Sequence, residues 1–322
     1  MNNNKERYQQ HCREENSVPI FSQDWWLDTV CANGVWDVAL VTRGGKIIGS
    51  MPYFIKKRMG LTLLTQPPLT QTLGPWIRAI DTKHAKMLSY QKDVMSELIE
   101  QLPSFDYFSQ NWHYHNLNWK PFYWKGFRQT TFYTFVLPDL RNETRLWDGL
   151  EAKIRTDIRK ASDRYKLCIR EDPSIDDFLR LQHKTFDRQG KSLPYDEGVV
   201  RRLDYECVKR KCRKIWIAED DKGRQHAGAY IVWNENSAYY LMGGGDPGLR
   251  NSGATSYVLW EAIKQAATVT KRFDFEGSMV ESIERFFRAF GGQQELIFNV
   301  NKTNSKILRL RQCLLAMLGQ QY

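Results

Sequence analysis

The chain lacks any run of about 18 consecutive apolar residues, so no membrane-spanning helix is expected. It also lacks a CxxC pair. Its six cysteines, Cys12, Cys31, Cys168, Cys207, Cys212 and Cys313, are scattered. A disulfide framework and a zinc site are therefore both disfavoured, and reduced cytosolic thiols fit better. The opening residues, MNNNKERYQQHCREEN, have no apolar core of the kind a secretory signal needs, so a cytoplasmic location is expected. They read as a frayed end to about residue 17. No sustained heptad pattern, no Ser-His-Asp set and no recognised RNA-binding motif is evident. His113 and His115 share a predicted strand face, but no third ligand accompanies them, so no metal is expected.

What is present is a folding composition. Of the 322 residues, 42% are hydrophobic and 13% aromatic, enough for two domains or one large one. The net charge of +10 suggests an anionic partner. That charge gathers at Lys56-Lys57-Arg58, at Lys153 to Arg164, at Arg201-Arg202, at Lys209 to Lys214 and at Lys302 to Arg311.

Turn signals and periodicity give an alternating α/β order. Phe21 to Cys31 reads as a short helix with Ser22 as N-cap. Trp36 to Val41 and Ile47 to Phe54 read as a hairpin around Gly44-Gly45. A Pro-rich loop, QPPLTQTLGPW (66–76), precedes a helix over about 82–101, and aromatic strands follow between Tyr107 and Leu137. Helices are expected over about 145–165, 175–189 and 197–210. A second hairpin then spans Lys214 to Val232, with a further strand from Ser237 to Met242. Both hairpins are preceded by helices, and a glycine, Gly49 or Gly228, sits in each return strand. This reads as duplication of one α/β unit with a boundary near residue 140.

The most informative stretch starts at Leu241 and reads LMGGGDPGLRNSGATSYVLWEAIKQ. Three glycines end a strand, a polar loop follows, and a helix opens at Ala254 and runs to about Ala267. A strand, Arg272 to Glu276, closes the unit. A strand end, an Arg-bearing loop and a helix N-terminus together make an anion site. The plainer alternative is a crossover whose glycines only permit a tight bend.

The segments QPPLTQTLGPW (66–76), KIRTDIRKA (153–161), RQGKSLPY (188–195), GGGDPGLRNSGA (243–254) and FDFEGSM with FFRAFGG (273–292) resemble the FemABX-like acyltransferases of the GNAT superfamily. The resemblance is to the acetyltransferase-6, or CelD-like, branch. It implies an α/β fold of tandem GNAT-like (acyl-CoA N-acyltransferase-like) units with mixed β-sheets flanked by helices. Residues 1–140 would form the first unit. Residues 141–322 would form the second, which carries the donor and active sites. The usual GNAT pyrophosphate loop is only approximated here by Arg250-Asn251-Ser252-Gly253-Ala254, so coenzyme A binding is not signed by motif. The tRNA-engaging coiled-coil arm of some Fem enzymes has no counterpart in the pattern.

The resemblance implies transfer of an acyl or aminoacyl group to an amine. The acceptor would be a nucleotide- or lipid-linked sugar of cell-envelope polysaccharide synthesis. Acyl-CoA is the expected co-substrate, with aminoacyl-tRNA as the rival donor and a non-catalytic phosphosugar-binding relative as a third reading. DNA is not an expected partner, whereas peripheral contact with the inner membrane surface is compatible with the sequence. Donor contacts are expected from Gly244, Gly245, Arg250, Asn251, Gly253 and Ala254.

Asp274 and Glu276 alternate on the predicted strand and share a face, a setting for acid–base chemistry with a raised pKa; Asp274 pairing with an arginine or capping a turn is the alternative. Arg288 would hold an oxyanion or phosphate, unless it lies on a solvated helix face. Lys153, Arg155 and Arg159 would bind an acceptor phosphate, against the usual meaning of a basic run as a solvated face. Arg188, Lys191 and Tyr195 are also expected to contact the acceptor; with Gln189 they form a loop that either covers the cleft or simply ends a helix at Gly190 and Pro194. The aromatic run from Trp112 to Trp124 is expected to pack a sheet face rather than to bind sugar.

Overall fold

The computed structural model describes residues 4–188, 190–277 and 279–317. In chain order the elements are α1 (Asn4–Glu14), α2 (Asp24–Val30), β1 (Val35–Arg43), β2 (Lys46–Arg58), β3 (Leu61–Thr65), β4 (Trp76–Ile77), α3 (His84–Glu100), β5 (Tyr107–Asn111), α4 (Lys120–Trp124) and β6 (Arg128–Leu137). There follow α5 (Glu143–Gly149), α6 (Ala152–Arg159), β7 (Cys168–Glu171), α7 (Ile175–Asp187), α8 (Glu197–Lys209), β8 (Arg213–Glu219), β9 (Gln225–Trp233) and β10 (Ala238–Gly245). The last are α9 (Ala254–Ala266), β11 (Phe273–Asp274), α10 (Glu281–Arg288), β12 (Gln293–Thr303) and α11 (Lys306–Met317). They group into two compact units, Met1–Phe132 with Leu296–Tyr322, and Tyr133–Glu295.

In unit 1, β1 and β2 form the expected hairpin. Gly44 and Gly45 take φ of 54° and 77°, the two positive values a two-residue turn of matching twist needs. β2 pairs antiparallel with β3, β3 parallel with β5, and β5 antiparallel with 299–303 of β12. Residues 296–322 therefore group with this unit. α3 packs Val94, Met95 and Leu98 on β1 and β2. Gly49 permits this, because a Cβ there would collide with Val94.

Three local expectations are corrected here. The N-terminal segment is not frayed. α1 buries Tyr8, His11 and Cys12, and the Tyr8 hydroxyl donates to the Ser22 carbonyl at 2.7 Å. Ser22 does not cap α2, since it lies buried in a preceding 3-10 turn and Gln23 takes the cap position. His113 and His115 lie just past β5 rather than on a strand, with ring centroids 4.6 Å apart. Of the aromatic run, Trp112, Tyr114 and Phe122 are buried, while Tyr123 and Trp124 are exposed on α4.

In unit 2, β7, β8, β9 and β10 form an antiparallel meander, and β10 pairs parallel with β11, which pairs antiparallel with β6. β9 is buried along nearly its whole length because helices cover both its faces. Ala227, Ala229 and Ile231 join the core formed with α9, whereas Gly228 turns the other way, towards Leu181 of α7. α9 buries Val258, Leu259, Trp260 and Ile263. Each contributes roughly 1.5–3 kcal/mol by leaving water.

The single helix expected over about 145–165 is interrupted. α5 ends at Gly149, Leu150 is extended at ψ 140° and buried, and α6 starts afresh before passing into a π turn over Lys160–Arg164. Helical periodicity continues across the break, so the sequence pattern conceals it. The expected strand Arg272 to Glu276 shrinks to two residues, Phe273 and Asp274.

Candidate functional site

The glycines at the end of β10 do not make a bend. Gly243, Gly244 and Gly245 pair in register with Ala229, Gly228 and Ala227 of β9. Their smallness lets α7 lie directly on the strand: a Cβ on Gly244 would meet the Gln182 backbone nitrogen at 3.1 Å. Polar groups of α7 secure this contact. Thr185 Oγ1 accepts from the Gly245 N–H at 2.8 Å, and Gln182 Nε2 donates to the Gly243 carbonyl at 3.3 Å.

On its other edge, β10 meets β11 only through Ala238 and Tyr239 among the described residues. From Tyr240 onward the strand edge is left to α7 and to a cleft of about 240 Å³. The cleft is lined by Thr185, Arg188, Tyr240, the three glycines, Arg250 and Thr255, with His226, Asp246 and Pro247 completing the wall. Thr255 stands in the first turn of α9, whose N-cap, Gly253, brings no side-chain cap. First-turn amides and the positive end of the helix dipole are thus combined with two arginines at one cleft. Lys184 pairs with the lining Asp246 at 2.8 Å and holds that carboxyl below its usual range.

The structure thus brings Gly244, Gly245 and Arg250 together with Arg188, which the sequence had placed with the acceptor. Asn251 is exposed, whereas Ala254 is buried. Gly253 has φ 81°, and a Cβ on it would collide with the Asp157 carbonyl, so glycine is required there for α9 to seat against α6.

A second polar cluster lies at β11. Asp274 is the register partner of Tyr239, the neighbour of cleft-lining Tyr240. Its Oδ1 accepts from Thr134 Oγ1 at 2.5 Å and from the Glu276 N–H at 2.8 Å. Burial pushes the Asp274 carboxyl up to about 6 despite those two donors. Glu276 is raised well above the normal carboxyl range, first by burial and then by the Asp274 charge. Its Oε1 is buried and has no hydrogen-bond partner among the described residues. The expectation that the two carboxylates alternate along one strand face is corrected: the strand ends at Asp274, and Glu276 takes a left-handed φ of 62°. The pair is joined through the backbone instead.

The remaining candidates lie elsewhere. Arg288 is exposed on α10, paired with Glu284 at 2.9 Å and with Glu151 at 3.7 Å. Arg155 donates to the carbonyls of Trp147, Asp148 and Leu150, closing the end of α5. Arg159 lies over the Trp147 ring, while Lys153 and Lys191 are exposed. The Tyr195 hydroxyl donates to Gln182 Oε1 at 2.8 Å, and burial pushes it up to about 12. Gln189 lies outside the described residues. Thr134, Gln182 and Thr185 carried no signal in the sequence, because their partners are 60 or more residues away.

Residues 150–288 match a family model described as an acetyltransferase (GNAT) domain. No curated protein sequence matches the chain. Among solved structures, FemX is similar at 13% identity, covering 93% of this chain and 96% of its own, with a TM-score of 0.65. The C-terminal domain of a putative lysylphosphatidylglycerol synthetase from Agrobacterium fabrum is 11% identical over 98% and 97%, with a TM-score of 0.57. A tandem GNAT protein from the clavulanic acid biosynthesis pathway is 10% identical over 94% and 96%, at 0.52. At such identities the likeness is one of fold, and it spans both units. Residues 150–288 thus match an acetyltransferase (GNAT) domain, and the chain as a whole has the fold seen in FemX and in a tandem GNAT protein.

Proposed function

We propose that the protein moves an acyl group from acyl-CoA to an amine on a nucleotide- or lipid-linked sugar used in cell-envelope polysaccharide synthesis. The observation that carries this reading is the cleft beside β10. There Arg188, Arg250 and the uncapped start of α9 surround a glycine-rich strand edge. A diphosphate suits the arginines and helix amides, and a slender thioester arm suits a strand edge without side chains.

In this reading the acceptor nitrogen attacks the thioester carbonyl, the C–N bond forms, the C–S bond breaks and the sulfur leaves as a thiol. The proton lost by the amine passes to Glu276 in its ionised form, a carboxylate that burial makes more basic than usual, and from there to the departing sulfur. Asp274 and Thr134 position Glu276 through its backbone. Exposed Lys153 and Lys191 are the basic groups left to meet an acceptor phosphate.

The likeness to a domain of a putative lysylphosphatidylglycerol synthetase favours a second reading, in which the group moved is aminoacyl and the donor is aminoacyl-tRNA. Calorimetric titration of acetyl-CoA at two salt concentrations separates the two. Saturable, salt-sensitive binding that weakens in Arg188→Ala and Arg250→Ala supports the acyl-CoA reading. No heat at either salt rejects it and directs the test to charged tRNA. A Glu276→Gln variant that keeps full turnover would remove Glu276 from the chemistry.

A further inference from the structure

One end of unit 1 carries basic and apolar side chains that acyl transfer does not use. Sheet register places them together. Lys56 pairs with Leu63, Leu63 with Tyr107, and Tyr107 with Thr303, so a single row crosses β2, β3, β5 and β12. Three strand spacings put the ends of β2 and β12 roughly 14 Å apart. Asp106 ties this end down: its carbonyl accepts from the Asn304 N–H at 2.8 Å and its carboxylate from the Thr62 N–H at 2.8 Å. The Lys56-Lys57-Arg58 run, the turn after it and the start of α11 therefore share one end of the sheet.

α11 rests on the unit through half-buried Leu308, Gln312 and Leu315. Ile307, Leu310, Leu314 and Met317 are each more than half exposed. At about 100° per residue they fall within an arc of roughly 80° on the opposite side of the helix. Lys306 and Arg311 border that arc, one on each side, and α11, KILRLRQCLLAM, has no acidic residue. At the end of β2, Lys56, Lys57 and Arg58 are exposed, and Met59 in the turn is 92% exposed.

We propose that this end of unit 1 docks on an anionic lipid bilayer. Aliphatic side chains at three-and-four spacing suit acyl chains at the headgroup boundary, and the bordering lysine and arginine stems reach outward to phosphates. The adjoining basic run adds long-range attraction to a negative surface. A second copy of the chain would bring like charges against these, and an RNA backbone would leave the aliphatic arc in water. The proposal does not depend on which acyl donor the cleft takes.

The test is co-sedimentation of the full chain with vesicles of phosphatidylcholine alone and of phosphatidylcholine with phosphatidylglycerol in equal parts. Binding to the mixed vesicles is expected to be at least about tenfold tighter and to fall with salt. A Leu310→Glu/Leu314→Glu variant should lose about tenfold or more on mixed vesicles while binding acetyl-CoA as the wild type does. A Lys56→Glu/Lys57→Glu variant should lose affinity independently of the helix. Unchanged vesicle binding by both variants, or none by the wild type, overturns the proposal. A dimer that dissociates in the α11 variant without any vesicle binding would assign the face to a second copy. Retardation of transfer RNA that only the wild type shows, again without vesicle binding, would assign it to RNA.

Discussion

The Glu276 N–H donates to Asp274 Oδ1 at 2.8 Å, so the two carboxyl groups are held by one backbone turn rather than by a strand face. Glu276 pays for this with a left-handed φ of 62°, and strain of this kind persists where surrounding contacts enforce it. The adjoining Gly277 also has positive φ, and its missing Cβ makes room for the Tyr133 carbonyl.

Asp274 is raised to about 6, so the folded state holds its proton more tightly than the unfolded chain does. The stability this confers is complete below about pH 4 and is lost as pH rises through about 6. A neutral carboxamide in its place would mimic the protonated form and still accept from Thr134 and Glu276. Asp274→Asn should therefore cost little at pH 4.5 and should gain on the wild type by on the order of 2 kcal/mol at pH 7.5. Urea unfolding at both pH values measures this. An equal loss at both would show that the carboxyl is not protonated by its surroundings.

Arg188 and Arg250 face one cleft from separate loops. Replacing either by alanine should raise KM for an anionic donor about tenfold with a smaller effect on kcat, and should flatten the salt dependence. Steady-state kinetics at two ionic strengths would show it. Unchanged KM in both variants would place the donor elsewhere.

Arg155 gathers three carbonyls at the end of α5. Arg155→Met should lower unfolding stability by about 1–3 kcal/mol and leave KM for either substrate near wild type. The opposite pattern, intact stability with impaired acceptor binding, would restore Arg155 to the acceptor site.

At Gly253, alanine would have to hold φ 81° and intrude on the Asp157 carbonyl. Gly253→Ala should destabilise by at least about 2 kcal/mol and should also weaken donor binding, because α9 would shift with it. Thermal unfolding and acetyl-CoA titration on the same sample distinguish this from a purely local effect.

Much of this was legible in the chain. The Gly44-Gly45 turn, α3, α7, α8 and α9 all follow from turn residues and apolar spacing, and the Gly- and Arg-bearing loop after β10 identified the cleft. Asp274 and Glu276 were visible as a carboxylate pair, but not their geometry, because nothing local reveals that Glu276 turns left-handed. The break at Leu150 was hidden by apolar residues that keep helical spacing across it. Gln182 and Thr185 look like ordinary helix residues until β10, some 60 residues on, is laid against them. The burial of α1 was equally invisible, since its polar composition conceals Tyr8 and Cys12.

The pairing of β5 with β12 also bears on how the chain is made. Asn299 reaches Ser109 from 190 residues away, so β5 has no partner on that edge until nearly the whole of unit 2 has been translated. Unit 2 is continuous in sequence and has its strands β7 to β11 in hand well before then. Synthesis on the ribosome would therefore leave the nascent first unit waiting with an open, aromatic-rich edge while the second completes itself. During that interval unit 1 is the part of the molecule most exposed to chaperones and to mispairing.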